Sequence, residues 1–290
     1  MTLQSHPADG DTGFRFVISP RYTDLDTWRH VNNSALYQFH IEARLQAWMA
    51  RFGAESWFSD KLHLRPLRTI THYRLVTHYG ADVTCHVHLL ETSTYHYRVR
   101  TELFQHQRCV GIQDTVMGVF EGLERQPLPE SIRVGLGEPE AAAEPLPASP
   151  VAVVPTGRGG YPIGRTLTAR YADFDADSLR AEAASARYME QARFGTIGEL
   201  DFGGLGILIA ALDMSFYDHR PVGASVDLLT GVSRIGNSSF NVLTAALSDR
   251  GLHTVADSVM VMIDQQSGRP TPITDALRAQ LKDLQVNLLD

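Results

Sequence analysis

One short pattern occurs twice in this chain, and it constrains the fold more than any other feature. Residues 21–26 read Arg-Tyr-Thr-Asp-Leu-Asp, and residues 170–175 read Arg-Tyr-Ala-Asp-Phe-Asp, 149 positions later. An Ala-Arg pair follows both copies at the same distance and ends at Arg44 and at Arg193. A repeat of this length can form a domain with its own core, so the sequence predicts two similar domains in tandem.

Composition changes along the chain divide it into four parts. Residues 1–13 are polar and contain Gly, and we expect a flexible N-terminus there. Residues 14–127 are predicted as the first domain and residues 161–290 as the second. The segment 128–160 between them is rich in Pro, Ala and Gly, and we interpret it as a linker. Its centre, 138–150, has no periodicity, whereas packing of residues 131–136 on the first domain stays open.

Both predicted domains have the same order of elements: a short strand, a long helix and then four further strands. Apolar periodicity predicts helices over 34–52 and 178–200. Strands are predicted over 14–20, 67–79, 82–92, 95–107 and 109–120 in the first domain, and over 167–171, 207–217, 225–234, 239–248 and 254–264 in the second.

The stretch that opens the first copy carries the strongest functional pattern. Asp24 and Asp26 precede the run His-Val-Asn-Asn at 30–33, and the helical segment follows directly. We predict Asn33 as the N-cap, because an asparagine side chain can accept from unpaired amides of the first turn. A carboxylate beside a helix N-terminus suits acyl transfer: the amides polarise a carbonyl, and the anion attacks it or activates water.

This stretch closely resembles the opening of the hotdog-fold thioesterases of the 4-hydroxybenzoyl-CoA thioesterase and acyl-CoA thioesterase type. Their pattern runs Asp-x-Asp-x-x-Gly-His-Val-Asn-Asn, then a Tyr, then Glu-x-Arg. Arg29 stands where the family usually has Gly, so we expect the local turn to differ. The matching positions are Asp24, Asp26, His30, Val31, Asn32, Asn33, Tyr37, Glu42 and Arg44.

The resemblance implies an α+β fold of two hotdog domains in tandem, each a long helix wrapped by an antiparallel sheet, paired as an internal pseudo-dimer. It implies that Asp26 is the catalytic acid and that His30 and Asn32 orient the carboxylate or water. Asn33 belongs to the same catalytic segment. Asp175 is the corresponding acid of the second domain, either as a second catalytic group or as a structural residue.

The second domain has a reduced form of the motif. Leu179, Arg180, Ala181 and Glu182 stand where the first domain has His-Val-Asn-Asn. Some relatives work with the acid alone, so Asp175 stays a candidate. We nevertheless expect one productive site per chain.

A second motif is fuller in the second domain. The run 234–240 resembles the Ile-Gly-x-Ser-Ser turn between two central strands of the family. The resemblance implies that the segment 26–33 faces this turn. Arg234 is a candidate for steering the phosphates of coenzyme A, and a surface salt bridge is the equally open alternative for it. The implied substrate-binding residues are Arg234, Gly236, Asn237, Ser238 and Ser239.

Each of these residues also has a purely structural interpretation. In that interpretation Asp26 and His30 shape a turn, Asn33 caps the helix, and the serines at 238 and 239 are ordinary strand hydroxyls, none of them with a role in catalysis or binding.

Three functions are open at this point. The first is hydrolysis of acyl-CoA thioesters, with no cofactor other than the coenzyme A of the substrate. The second is hydrolysis of thioesters on acyl carrier protein. Tandem relatives of that kind typically carry the His-Val-Asn-Asn motif in the second half, unlike this chain. The third is a non-catalytic acyl-CoA-binding protein. Release of free thiol from an acyl-CoA panel would separate these functions.

Composition limits the classes of binding partner and the compartment that we expect for this protein. A net charge of −7 with no long basic run argues against nucleic acid. Two cysteines and no signal-peptide pattern favour the cytoplasm, and no apolar run is long enough to span a membrane. Association of several chains into a homo-oligomer is compatible with the family resemblance.

Four histidines of the first domain form a possible metal set, namely His72, His78, His86 and His88. Alternation places the last two on one strand face. No Cys or carboxylate completes a ligand spacing along the chain, so we expect solvent-facing histidines and no metal.

Overall fold

A computed structural model describes residues 13–57, 62–139, 144–149 and 158–287. The chain divides into two compact units, Met1–Pro147 and Ala148–Asp290. No helix in the described ranges is long and apolar enough to cross a membrane.

The first unit contains one long helix, α1 (Asn33–Phe52). Its buried side chains are mostly apolar and recur at helical spacing, so one face packs on the sheet. The helix ends at Gly53, whose φ of 97° lies in the region that glycine adopts without steric penalty.

The sheet of the first unit is antiparallel, in the order β1-β3-β4-β5-β2, with the short β6 paired to β5. Alternate residues of β3, including Val83, Cys85 and Val87, form the core with Leu36 and Phe39 of α1. The strands are β1 (Phe14–Ile18), β2 (His63–Tyr73), β3 (Val83–Thr92), β4 (Tyr97–Gln105), β5 (Arg108–Glu121) and β6 (Glu124–Gln126).

A buried polar network connects α1 to the sheet. Arg44 Nη1 donates to Gln113 Oε1 at 2.5 Å and to Thr115 Oγ1 at 3.0 Å on β5. Gln113 Nε2 then donates to Thr71 Oγ1 on β2 at 2.9 Å. One turn earlier, burial lowers the pKa of His40 to about 3, with Arg44 adding to the effect. These groups cost desolvation energy unless their bonds are made, so they favour one orientation of the helix on the sheet.

A second, short helix lies in the segment that the sequence analysis assigned to the linker. It is α2 (Glu130–Leu136), and Ile132 and Leu136 pack in a cluster with Trp48 and Tyr97. Pro129 begins this helix and Gly137, with φ of 78°, ends it. The first part of the predicted linker is therefore folded, because Leu136 is buried and Ile132 partly buried in this cluster, while Val134 faces solvent.

The second unit has the same plan, with a long helix, α3 (Glu182–Ile197), packed against β9 and β10. Its antiparallel sheet has the order β7-β9-β10-β11-β8. The strands are β7 (Ile163–Thr168), β8 (Gly206–Phe216), β9 (Ser225–Ile235), β10 (Ser239–Ser248) and β11 (Gly251–Ile263), and a further helix, α4 (Asp275–Asp283), follows them.

A long helix on one face of an antiparallel sheet occurs in both units, which confirms the predicted α+β class and the hotdog arrangement. The start of the second helix was predicted wrongly, at 178 instead of Glu182. Ser178 has φ of 59°, and the amide of Leu179 is bonded to the side chain of Asp175, so the backbone there forms a closed loop. The first domain's second strand also ends six residues earlier than predicted, at Tyr73.

The buried network predicts a large effect of Arg44→Ala. The substitution removes two charge-assisted hydrogen bonds and takes one hydrogen-bond donor away from the buried oxygen Gln113 Oε1. We expect the free energy of unfolding of the first unit to fall by about 3 kcal/mol. All three tryptophans lie at 28, 48 and 57, so urea unfolding followed by tryptophan fluorescence reports on this unit.

Arg51→Ala is the matched control, because Arg51 lies in the last turn of the same helix and makes its bond, to the carbonyl of Gly135, at the exposed surface. Its cost should stay within about 0.5 kcal/mol. Equal costs for the two variants would contradict a special role of the buried network.

Candidate functional site

The chain enters α1 through a tight turn that the first acid of the motif stabilises. Asp24 is 5% exposed, and its carboxylate accepts from the backbone amide of Arg21 at 2.7 Å and from Arg21 Nη2 at 2.8 Å. The amide of Asn32 donates to the carbonyl of Asp24 at 2.8 Å. Asp24 is therefore a structural acid of this turn.

Asp26 is the centre of the next loop. Its Oδ1 accepts from the amide of Trp28 at 2.8 Å and from the amide of His30 at 3.0 Å. The amide of Asp26 donates to the carbonyl of His30 at 2.8 Å, which closes the loop. Oδ2 takes no part in these bonds, and the residue is half-buried. The carboxylate is thus held in place through one oxygen.

Arg29 occupies the left-handed backbone region, with φ of 65°. Glycine adopts this conformation easily, whereas another L-residue pays about 1 kcal/mol for it. Arg29 therefore adopts a backbone conformation that suits glycine better. The hydrogen bonds of the closed loop around Asp26 offset this conformational cost.

His30 lies beside a second histidine from a distant part of the chain. Its backbone forms a β-bridge with His78, and the two rings meet edge to face with centroids 5.4 Å apart. The side chain of Gln105 fixes this segment: it accepts from the amide of His78 at 2.9 Å and donates to the carbonyl of the same residue at 2.8 Å.

The helix cap differs by one residue from the prediction. Asn32 is the N-cap, and its Oδ1 accepts from the amide of Ser34 at 2.6 Å and from the Ser34 hydroxyl at 2.7 Å. Asn33, which was predicted as the cap, is the first residue of α1. The correction has a simple cause: the preceding loop around Asp26 ends one residue earlier than the apolar periodicity indicated.

The arrangement brings Asp26, His30, Asn32 and Asn33 into one segment at the start of α1. First-turn amides of a helix have no intrahelical partner, and the helix dipole adds partial positive charge there. A fixed carboxylate near such a helix start can act on a carbonyl group that the amides polarise.

The second unit repeats the loop but not the helix start. Asp175 Oδ1 accepts from the amides of Asp177 and Leu179, each at 3.0 Å, in the same pattern as Asp26. The N-cap of α3 is Ala181, which offers no side-chain cap, and Glu182 is the acidic first residue. Asp175 therefore has the same loop without the polar cap.

Arg180 takes a structural role in that unit. It is buried and donates to Ser185 Oγ at 3.0 Å and to the carbonyl of Asp218. Burial lowers the pKa of its guanidinium to about 10, and the charge of Asp218 opposes this shift.

The predicted substrate-binding residues form the turn between β9 and β10 of the second unit. The amide of Gly236 donates to the carbonyl of Ser239 at 2.7 Å, and a Cβ at Gly236 would lie 3.1 Å from that oxygen. The backbone carbonyl of Asn237 accepts from the amide of Ile273 at 2.8 Å, and the backbone carbonyl of Ser238 accepts from the amide of Met262 at 2.9 Å. Arg234 and Asn237 are exposed, and the two serines are half-buried.

Several residues near these two groups were missed in the sequence analysis. His78 and Gln105 contact the His30 loop, and Arg278 of α4 donates to the carbonyl of Gly236 at 2.8 Å. The carboxyl group of Asp257 accepts hydrogen bonds from Ser233 Oγ and Asn241 Nδ2, and burial raises its pKa. Strand register and chain reversal bring these groups together, so no spacing along the chain indicates them.

No protein-family model matches the sequence, and no curated protein is significantly similar to it. Solved structures do match. One is a protein from Lactobacillus plantarum, provisionally described as an oleoyl thioesterase, with 9% identity and a TM-score of 0.74 over 89% of this chain and 99% of that chain.

Two further similar structures are thioesterases for acyl carrier protein substrates. The 12:0-ACP thioesterase from Umbellularia californica has 12% identity and a TM-score of 0.68, over 89% of this chain and 94% of that chain. An acyl-ACP thioesterase from Bacteroides thetaiotaomicron has 13% identity and a TM-score of 0.64, over 85% and 96%. At these identities the three structures are similar to this chain in fold, and the similarity confirms the tandem hotdog architecture.

The corrected cap makes a prediction that separates the two asparagines. Asn32→Ala removes the acceptor for the amide of Ser34, so we expect the free energy of unfolding of the first unit to fall by about 1 kcal/mol. Asn33→Ala should cost less than about 0.5 kcal/mol, because a helical position without a capping bond tolerates alanine. Urea unfolding by tryptophan fluorescence measures both; the reverse order would restore Asn33 as the cap.

Proposed function

We propose that the protein hydrolyses acyl thioesters to a carboxylic acid and a thiol, with Asp26 as the reacting carboxylate. The observation that carries the proposal is the Asp26 loop. One carboxylate oxygen is held by two backbone amides, and the loop leads directly into the Asn32 cap of α1. The fold likeness to proteins described as thioesterases supports the same reaction class.

A thioester is already an activated acyl group, so the reaction needs little apparatus. In the proposed mechanism the first-turn amides of α1 hold the carbonyl oxygen as negative charge develops on it. One donor of this kind contributes about 3–4 kcal/mol in comparable sites. In one route Oδ2 of Asp26 deprotonates the attacking water, the C–S bond breaks, and the same proton passes to the departing sulfur to give the thiol. In the other route Oδ2 attacks the carbonyl carbon, the thiolate leaves and takes a proton from solvent water, and a second water then hydrolyses the acyl–Asp26 anhydride to release the acid and restore the carboxylate.

The other residues of the segment take positioning roles in this proposal. Asn32 uses its side-chain oxygen for Ser34, so it fixes the helix start and with it the amides. His30 lies against His78 and orients the water or the carboxylate. Asn33, in the first turn, contributes its backbone amide to the carbonyl site.

The proposed substrate is an acyl-CoA, and the only coenzyme involved is the one it carries. Arg234 is exposed and offers a cation to the phosphates of coenzyme A. The turn formed by Gly236, Asn237, Ser238 and Ser239 is tied by backbone bonds and presents polar groups beside Arg234 in the second unit.

The second acid is proposed as an inactive or weak copy. Asp175 has the loop of Asp26, but Glu182 adds a negative charge at the start of α3, where Asn33 stands in the first unit. Like charges at short range oppose an anionic nucleophile and a phosphate-bearing ligand.

Asp26→Asn tests the proposal directly. An Asn side-chain oxygen can still accept from the amides of Trp28 and His30, so the loop and acyl-CoA binding should persist. We expect kcat to fall about 10²- to 10⁴-fold, the range for loss of a general base. Release of free thiol from an acyl-CoA panel provides the measurement.

Asp175→Asn is the matched control, because Asp175 makes the same two bonds in the second unit. Turnover should remain near that of the unchanged protein. Near-normal turnover of the Asp26 variant with loss of activity in the Asp175 variant would assign the chemistry to the other half. If the unchanged protein binds acyl-CoA without turnover, it is a binding protein.

Thioesters on acyl carrier protein are the second candidate substrate. The full-length fold likeness to two acyl-ACP thioesterases favours them. The same acyl chain offered on coenzyme A and on acyl carrier protein decides between the carriers. We expect the higher kcat/KM on coenzyme A; a preference for the protein carrier would overturn the proposed substrate and leave the reaction class intact.

A further inference from the structure

The face of the first sheet that points away from α1 carries a cluster of metal-ligating side chains. Along β3, Val83, Cys85 and Val87 are buried in the core beneath α1. Side chains alternate between the two faces of a strand, so His86 and His88 project from the opposite face. Both are half-buried.

Strand pairing adds a carboxylate to the two histidines. Glu102 of β4 is the direct register partner of His86 on β3. His88 Nε2 and Glu102 Oε2 are 3.8 Å apart, and the two imidazole rings have centroids 6.3 Å apart. One ligand atom from each of the three residues lies within 4.8 Å of the others.

Ligand spacing along the chain does not indicate this site, because its carboxylate comes from another strand. Glu102 is 14 positions after His88, and antiparallel pairing of β3 with β4 brings it beside both histidines. The missing carboxylate is therefore supplied across the strands.

We propose that His86, His88 and Glu102 form a binding site for a divalent transition-metal ion, with Zn²⁺ as the best-suited ion. Two imidazoles and one carboxylate suit zinc and its neighbours better than Mg²⁺ or Ca²⁺, which prefer oxygen ligands. Ligand atoms around tetrahedral zinc are about 3.3 Å apart. Small rotations of these half-buried side chains bring their ligand atoms, now within 4.8 Å of one another, to that separation.

Among the described residues, the surroundings restrict one ligand and leave the other two partly exposed. The ring of Phe104 packs against His86 with centroids 4.9 Å apart, which restricts that imidazole. Glu102 and His88 have side chains 27% and 23% exposed, so an ion can reach them from solvent. Three protein ligands leave a fourth position for water or another donor.

Two arginines lie near the cluster and bear on its charge. Arg100 is opposite His88, but Asp114 accepts from its Nε at 2.7 Å and from its Nη2 at 3.0 Å. Arg15 of β1 is opposite His86 and exposed. Glu102 supplies the negative charge that a divalent ion needs beside them.

The test uses the untagged full-length chain after treatment with a chelator. Titration calorimetry with Zn²⁺ alone measures affinity and stoichiometry, and thermal unfolding with and without Zn²⁺ measures stabilisation. We expect one Zn²⁺ per chain and a higher Tm with zinc, because the ion joins β3 to β4 only in the folded state. Glu102→Gln and His88→Gln should each lower the affinity by about tenfold or more.

His96→Gln is the matched control. His96, in the turn between β3 and β4, has its Nε2 3.2 Å from Glu91 Oε1 of β3, so it forms a His–Glu pair without belonging to the cluster. This variant should bind Zn²⁺ as the unchanged protein does. Absence of zinc binding in the unchanged protein, or unchanged affinity in both cluster variants, would overturn the proposal. No thioester enters the experiment, so its outcome is independent of the proposed hydrolase activity.

Discussion

The hydrogen bonds of Arg44 define how the long helix of the first unit lies on its sheet. A guanidinium that is 8% exposed must have partners, and Gln113 and Thr115 supply them from β5. Apolar contacts alone tolerate small rotations of a helix, whereas a buried charge with directional partners does not. The position of the start of α1 on the sheet follows from this orientation.

The loop before each long helix is a local structure that stabilises itself. In both units one acid bonds an arginine three residues earlier, and the next acid accepts from two amides of its own loop. The backbone conformation therefore persists in the second unit even though the residues after it have changed. The two units therefore share the backbone of the loop but differ in the side chains that follow it. Asn32 caps the helix of the first unit, whereas Ala181 precedes the helix of the second and offers no side-chain cap.

The β3 strand serves two purposes through its alternation. One set of side chains, with Cys85 among them, fills the core, and burial raises the pKa of that thiol to about 12, so it stays protonated. The other set, His86 and His88, lies on the opposite face with Glu102. The proposed zinc site and the proposed hydrolase site therefore rest on opposite sides of the same sheet, and one can change without the other.

The sequence by itself determined the tandem architecture, the two long helices and the Asp-centred segment, because a repeat at constant spacing and helical periodicity are local properties of the chain. It could not determine that Asn32 caps α1, that α3 begins at Glu182, or that His78, Gln105 and Glu102 join their clusters. Those facts depend on side-chain bonds within loops and on the register of paired strands. Register is decided only when the strands pack on their helix, since a shift of one residue would move every side chain to the other face.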